Sequence, residues 1–349
     1  MADHDEGLAS VELRGSSTLP EHPTGEPGPV DRWLARRPAG PRGPRFDASV
    51  VPGGYQWHYL DGVSDDAGLA IVVIAMVGNP FSPAYWWRRR RGKTDPLRYS
   101  AMNVAIYGRG VSAFSLYERS ISAAHRAAGS ITIGGSTMAW IKDQLVVELD
   151  ERTTPWGTPI RGRVVFRPEC TPETVLQLGR GDLHRWWPTA PIGRIEVELD
   201  QPSLRFTGHG YHDANAGIVP LESTFAEWSW CRARAHDAAL LCYDVRTNEG
   251  TARGLAYRVE RDGTVGPVEG LEEATLGRSR WGLRRSARCD RGAAAGIRRS
   301  LEDGPFYARS LTDTSLGGQP VLAMHEHLSG DRLTKGWVRY LTRHRMRSD

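Results

Sequence analysis

The sequence predicts an all-β protein made of two antiparallel, barrel-like domains, and three observations carry that expectation. Short apolar runs recur at turn-sized intervals from Tyr55 onward, several alternate by twos, and helical periodicity is nearly absent. In Arg194-Ile195-Glu196-Val197-Glu198-Leu199 the alternation sets one face into a core and the other into water, the habit of an antiparallel sheet. No stretch reads as a strand-helix-strand crossover, which weighs against an α/β fold and favours β-barrels or sandwiches. The 39 glycines and 22 prolines suit a chain with many turns.

Taken in order, residues 1–45 are rich in Pro, Gly and charge and are expected to form a disordered leader. A first β domain is expected over 46–220, with strands near 55–60, 69–76, 102–107, 145–149, 162–166 and 195–199. Within it, 81–93 reads as a loop that sets Phe81, Tyr85, Trp86 and Trp87 beside Arg88, Arg89, Arg90, Arg91 and Lys93. A second β domain is expected over 221–349, with strands near 224–232, 239–245, 255–259, 321–327 and 336–341, the boundary falling between 205 and 235. A chain of 349 residues suits two domains, each able to bury a core.

Bulk properties exclude several classes. A net charge of +4 is too small to argue for a nucleic-acid partner, and the cationic excess gathers at 88–91 and 339–347. Cys170, Cys231, Cys242 and Cys289 lie far apart without C-x-x-C spacing, as free thiols in a reducing compartment would. The longest apolar run, 69–77, falls well short of the roughly 20 residues of a spanning helix. The start of the chain lacks a basic region followed by an apolar one. A soluble, cytoplasmic protein is expected, and the 81–93 segment suits peripheral contact with anionic head groups at the inner membrane. A solvated basic loop over a packed aromatic anchor is the simpler reading of the same residues.

The chemistry concentrates in Gly208-His209-Gly210-Tyr211-His212-Asp213-Ala214-Asn215. A carboxyl group among apolar or aromatic walls has its charged form disfavoured, so Asp213 reads as a proton donor near neutral pH. An Asx-turn in a Gly-rich hairpin is the structural alternative. Strand parity puts Tyr211 and Asp213 on one face, with His209, and turns His212 away. In His184-Arg185-Trp186-Trp187-Pro188, an extended chain puts His184 and Trp186 on one face, where they offer a hydrogen-bond partner and a π surface for a cation. The same indoles would also serve as a core plug. His209, His212 and Asp213, together with His325-Glu326-His327, supply metal-ligating atoms but no H-E-x-x-H or Cys-pair spacing. There is no G-x-S-x-G elbow or phosphate loop, and Gly179-Arg180-Gly181 is not a dinucleotide fingerprint. Chemistry without metal or cofactor is expected.

At these residues the chain resembles the bacterial carotenoid 1,2-hydratases, or hydroxyneurosporene synthases. The likeness covers roughly 50–245 and rests on Gly54-Tyr55-Gln56-Trp57-His58-Tyr59-Leu60-Asp61, Phe81-Ser82-Pro83, Asp95-Pro96-Leu97, Asn103-Val104-Ala105-Ile106-Tyr107-Gly108, the His184 cluster, 208–215 and Pro220-Leu221-Glu222. The resemblance implies a pair of lipocalin-like β domains and addition of water to the terminal C1=C2 bond of acyclic carotenes such as neurosporene or lycopene. It also implies catalytic importance for His184, Trp186, Tyr211 and Asp213. Asp213 is then expected to protonate the alkene, Tyr211 and His184 to orient it or the water, and Trp186 to face the tertiary cation. The alternatives are a lipocalin-like cyclase or pericyclase acting on a polyene, and a carotenoid or lipid carrier without catalysis.

Overall fold

The computed structural model describes residues 43–92, 94–108, 110–179 and 181–348. All but the last three residues of the expected leader lie outside the described residues, as do Lys93 and Arg180. The chain begins with β1 (Tyr55–Ser64), β2 (Ala70–Val77) and the helix α1 (Pro83–Arg89), and returns through β3 (Ser100–Gly108) and β4 (Val111–Arg119). Then come β5 (Ala124–Ala127), β6 (Ser130–Ile133), β7 (Ser136–Ile141), β8 (Gln144–Arg152), β9 (Pro159–Cys170), the short β10 (Leu176–Gln177), and two long strands, β11 (His184–Gln201) and β12 (Leu204–Gly217). A single turn, α2 (Leu221–Thr224), leads into β13 (Phe225–Arg234), β14 (Ala238–Thr247), β15 (Ala252–Glu260) and β16 (Val265–Pro267). The hairpin β17 (Leu271–Arg278) and β18 (Arg284–Asp290) precedes β19 (Gly296–Asp303), β20 (Tyr307–Leu316) and β21 (Gln319–Ser329). The chain closes with α3 (Gly330–Leu333), α4 (Gly336–Arg345) and β22 (Arg347–Ser348).

These strands make an all-β molecule of two main sheets. The first runs β22-β4-β3-β2-β1-β12-β11-β9-β8-β7-β6-β5, with β10 beside β11, and the second runs β16-β15-β14-β13-β21-β20-β19. Pairing is antiparallel except where β22 lies parallel to β4. The first sheet curls on itself, because residues of one parity from β1–β3 (Leu60, Ile71, Val73, Met102) share a core with Ile131, Met138, Leu145, Val164 and Phe166 of β6–β9. The opposite parity of β1–β3 and of β11–β12 packs on the second sheet, where Tyr59, Trp186 and Tyr211 share a core with Trp228, Trp230, Tyr243 and Met324. Alternation along each strand thus feeds two separate cores.

Close approach at the centre of the first sheet requires glycine. Gly62, Gly210 and Gly193 are direct neighbours across β1, β12 and β11. A Cβ at Gly210 would stand 2.6 Å from Phe166 Cδ2, and one at Gly62 2.6 Å from Ile195 Cγ2. Phe166 and Ile195 occupy the space the missing side chains leave.

Two expectations about elements require correction. Residues 336–341 are not a strand but the first part of α4, which buries Val338, Arg339 and Thr342 on one side. Val338 and Thr342 stand four residues apart, the spacing of one helical face. Part of the expected loop 81–93 is the helix α1, because Ser82 accepts a hydrogen bond from the Tyr85 amide and Pro83 occupies the first turn. The four cysteines are free and buried, as their spacing suggests.

Candidate active site

The first sheet presents Tyr211 and Asp213 of β12, Trp186 of β11 and Tyr59 of β1 toward the second sheet. Asp213 pairs across the strands with Tyr59, and Trp186 with Asn215. The Tyr211 hydroxyl donates to Asp213 Oδ2 at 2.7 Å, and the Trp186 indole N–H donates to the same oxygen at 2.8 Å. Asp213 Oδ1 is buried without a hydrogen-bond partner. Burial pushes the carboxyl up to about 8, the charges of Glu326 and Asp61 add to this, and the bonds from Tyr211 and Trp186 oppose it. At neutral pH the group is therefore a protonated acid. Since Oδ2 already accepts two hydrogen bonds, the proton belongs on Oδ1.

Across the gap stand Trp230 and Trp228 of β13, Arg309 of β20 and Glu326 of β21. Tyr59 sets its ring edge against Tyr211 and Trp230, at 6.2 and 5.4 Å between centroids. Its hydroxyl donates to Asp61 Oδ2 at 3.0 Å, and Arg232 of β13 donates to that oxygen through Nε at 3.2 Å, forming an ion pair between the sheets. Arg309 Nε donates to Glu326 Oε1 at 2.8 Å, and its Nη1 to the Tyr107 hydroxyl at 2.7 Å. Each buried charge thus has an opposite partner, as burial demands.

A cavity of about 530 Å³ runs between the two sheets. Trp57, Tyr59, Met76, Trp228, Tyr307 and Phe306 line it, with Arg309 and Glu326 among its polar wall groups. Its size and largely apolar wall suit an elongated hydrophobic ligand. Tyr59 connects the wall to Tyr211, and Trp228 connects it to Trp186 through Tyr243, at ring separations of 5.6 and 5.1 Å.

Of the four residues the sequence singles out, the fold brings three together. His184 stands apart, facing Gly217, which is four residues from Asp213 along β12. Its Nδ1 shares a hydrogen bond with the Tyr55 hydroxyl at 3.0 Å, and its Nε2 one with Thr224 at 2.9 Å. Burial pulls its pKa down to about 3, so the ring is neutral. A side chain at 217 would leave no room for it, since a Cβ there lies 2.6 Å from His184 Nδ1. The expected contact of His184 with the acid is absent, and the imidazole instead ties β11 to Tyr55 and Thr224. Trp186 touches the acid through its N–H but, like Tyr211 and Asp213, is not among the residues lining the cavity, whose aromatic wall includes Trp57, Tyr59, Trp228, Phe306 and Tyr307.

His209 has the parity of Tyr211 and Asp213 but lies toward the rim, with its side chain 41% exposed near Asp65. His212 points away as strand alternation requires, with Nδ1 2.7 Å from the Tyr59 carbonyl oxygen and its ring edge-on to Trp140. Alternation likewise separates Glu326, on Arg309, from His325, on Ser229 and the Ser286 carbonyl. Among the described residues no three His, Cys, Asp or Glu side chains are grouped to hold a metal ion. Sequence reasoning missed Tyr59, Asp61, Trp230, Arg232 and Arg309. Alternation assigns each of them a face but says nothing of which sheet that face meets.

Comparison with known proteins adds the following. Residues 73–348 match the family described as carotenoid hydratase CrtC. The chain is 41% identical over 308 residues to an acyclic carotenoid 1,2-hydratase of Thiocapsa roseopersicina, covering 87% of this chain and 76% of that one. It is 38% identical over 306 residues to an acyclic carotenoid 1,2-hydratase of Rubrivivax gelatinosus, covering 87% of this chain and 75% of the other. Among solved structures it is similar in fold to CghA, with a TM-score of 0.51 at 10% identity, covering 85% of this chain and 96% of that one.

Proposed function

This chain belongs to the carotenoid hydratase CrtC family and is a hydratase of acyclic carotenes in carotenoid biosynthesis, and we propose that Asp213 is its proton donor. The observation that carries the proposal is the Asp213 carboxyl, with Oδ2 fixed by Tyr211 and Trp186 and Oδ1 left to bear the proton.

The reaction asks much of an acid, because an isolated alkene is a very weak base. Proton transfer from Oδ1 to C2 of the terminal double bond makes a new C–H bond and leaves a tertiary cation at C1. Water attacks C1 through oxygen, and its surplus proton returns to the Asp213 carboxylate. The sum is the addition of one water, with the acid regenerated and no electrons gained or lost. The apolar cavity holds the hydrocarbon and keeps bulk water from the cation. Faces of Trp57, Tyr59 and Trp228 stabilise that charge by about 2 kcal/mol or more when it is desolvated. The positioned acid supplies the larger share. In this reading Tyr211 and Trp186 hold the acid, and His184 supports the strand pair that carries it.

Among the described residues no helix is long and apolar enough to cross a membrane. A cytoplasmic enzyme that meets the inner membrane peripherally through the basic, aromatic segment at 81–93 is part of the proposal, since its substrate dissolves in lipid. Asp213→Asn preserves shape and removes the proton. With lycopene supplied in detergent, product carrying one added water, read by mass spectrometry, is expected to form about 10²–10⁴-fold more slowly. A rate near that of the unaltered enzyme, in a variant that folds normally, overturns the assignment.

A further inference from the structure

Every large aromatic side chain that the described residues leave exposed gathers around α4. Trp337 and Tyr340 are 50% and 63% exposed on the helix itself. Trp281, at 44%, stacks on Trp337 with ring centroids 6.3 Å apart. Trp87, at 47%, stands on α1, which is tied to α4 by Glu222, paired with both Arg89 and Arg339. Trp156, at 85%, follows Pro155, whose carbonyl accepts a hydrogen bond from Arg347 just beyond α4. A monomeric surface scatters such residues singly, and a cluster of this kind marks a contact surface.

Cations predominate on the same surface, although Asp331 is exposed on α3 and Glu302, paired with Arg345, and Asp303 line the adjoining cavity. No carboxylate occurs between Pro83 and Gly92, or between Lys335 and Ser348. Arg88, Arg90, Arg91 and Arg343 are exposed there and make no salt bridge among the described residues. The cations lie against the indoles, with Arg90 over Trp86 at 4.8 Å and Arg91 over Trp87 at 3.4 Å. Trp281, Leu341, His344 and Arg345 of this region also line the cavity between the sheets, and Trp281 and His344 are exposed. The apolar cavity therefore opens within the aromatic and cationic patch.

We propose that α4, with Trp281 and α1, is a docking surface for an anionic lipid bilayer, seated so that the cavity mouth faces the membrane. Indoles and a tyrosine match the interfacial layer, and unpaired arginines match anionic head groups. A carotene then passes between bilayer and cavity without entering water. The proposal rests on the hydratase reading for the identity of that cargo. It extends the membrane contact from the 81–93 segment to the C-terminal helix, the Trp281 loop and the mouth of the cavity.

The test is co-sedimentation of the full chain with phosphatidylcholine vesicles, with and without about a third phosphatidylglycerol, at low and high salt. The unaltered protein is expected to bind the anionic vesicles at least tenfold more strongly than the neutral ones and to be released by salt. Trp337→Ala/Tyr340→Ala and Arg88→Glu/Arg90→Glu/Arg91→Glu are each expected to lose binding at least tenfold. Both should keep an unchanged circular dichroism spectrum and unchanged hydration of detergent-dissolved lycopene. Equal partition onto both vesicles, or variants that bind like the unaltered protein, overturns the proposal. So does a lipid-free dimer that Trp337→Ala/Tyr340→Ala dissociates, which would make a second copy the occupant. Vesicle binding with no hydration in detergent would instead overturn the hydratase reading and leave the docking surface standing.

Discussion

Asp213 is poised by groups that act on its proton in opposite directions, and this separates their roles experimentally. On the proposal that Asp213 is the proton donor, and with its carboxyl pushed up to about 8, hydration should hold at lower pH and fall as pH rises through about 8. Glu326→Gln removes a like charge and leaves Arg309 with Glu302 as its remaining counter-charge, both of which favour the carboxylate, so the falling limb should move to lower pH. Tyr211→Phe removes a hydrogen bond that favours the carboxylate, so its limb should move to higher pH. Its rate at neutral pH should still drop about tenfold, as expected for a lost hydrogen bond of roughly 1.4 kcal/mol. Rate profiles of the three enzymes on one detergent-dissolved carotene decide the matter, and two limbs moving the same way would refute the assignment. At this scale the segment 208–215 already put Asp213 and its neighbour Tyr211 together, since parity alone sets them on one face. Separating His184 from them needed the fold, because residues sharing a face can still lie four positions apart along the strand pairing.

The strands β1, β11 and β12 hold the site in register, and the glycines at their crossing explain why the acid lies in a Gly-rich sequence. Gly210 neighbours Tyr211 yet faces the other core, where Phe166 takes the space a side chain would need. Gly210→Ala should therefore lower stability by about 1–3 kcal/mol through overpacking. Urea unfolding followed by intrinsic fluorescence measures this, and a loss below about half a kcal/mol would show that Phe166 moves aside freely. Most strands were legible in the sequence because their period of two is local. Of the two elements it misassigned, α4 is short and amphipathic, with Val338 and Leu341 mixed among exposed aromatics and arginines. Its helical character shows only once Val338 and Thr342 meet the body of the protein.

The two sheets are joined across their interface by buried charge as well as by aromatic packing. Arg232 of the second sheet closes on Asp61 of the first, and both are almost fully buried. Arg232→Met leaves Asp61 buried without its cation, which should cost about 3–5 kcal/mol. The double variant Arg232→Met/Asp61→Leu should recover much of that loss. A single variant as stable as the double one, compared by the same urea unfolding, would show that the pair carries no burden of desolvation. The cavity and the acid both lie at this junction, so loosening it should also reduce hydration.

By itself the sequence determined the all-β character, the residues of each strand face and the crowded segment containing Asp213, because these follow from spacing along one chain. It left open which face meets which sheet, and so could not show that Tyr59 and Glu326 stand near Asp213, that Trp230 packs on Tyr211, or that Arg232 and Arg309 pair with Asp61 and Glu326. Nor could it show that α1 and α4 share one aromatic, cationic surface. Those facts belong to the tertiary structure alone. The groups lie far apart in sequence, and only the packing of two curled sheets brings them within reach of one another and buries Asp213 deeply enough to remain protonated.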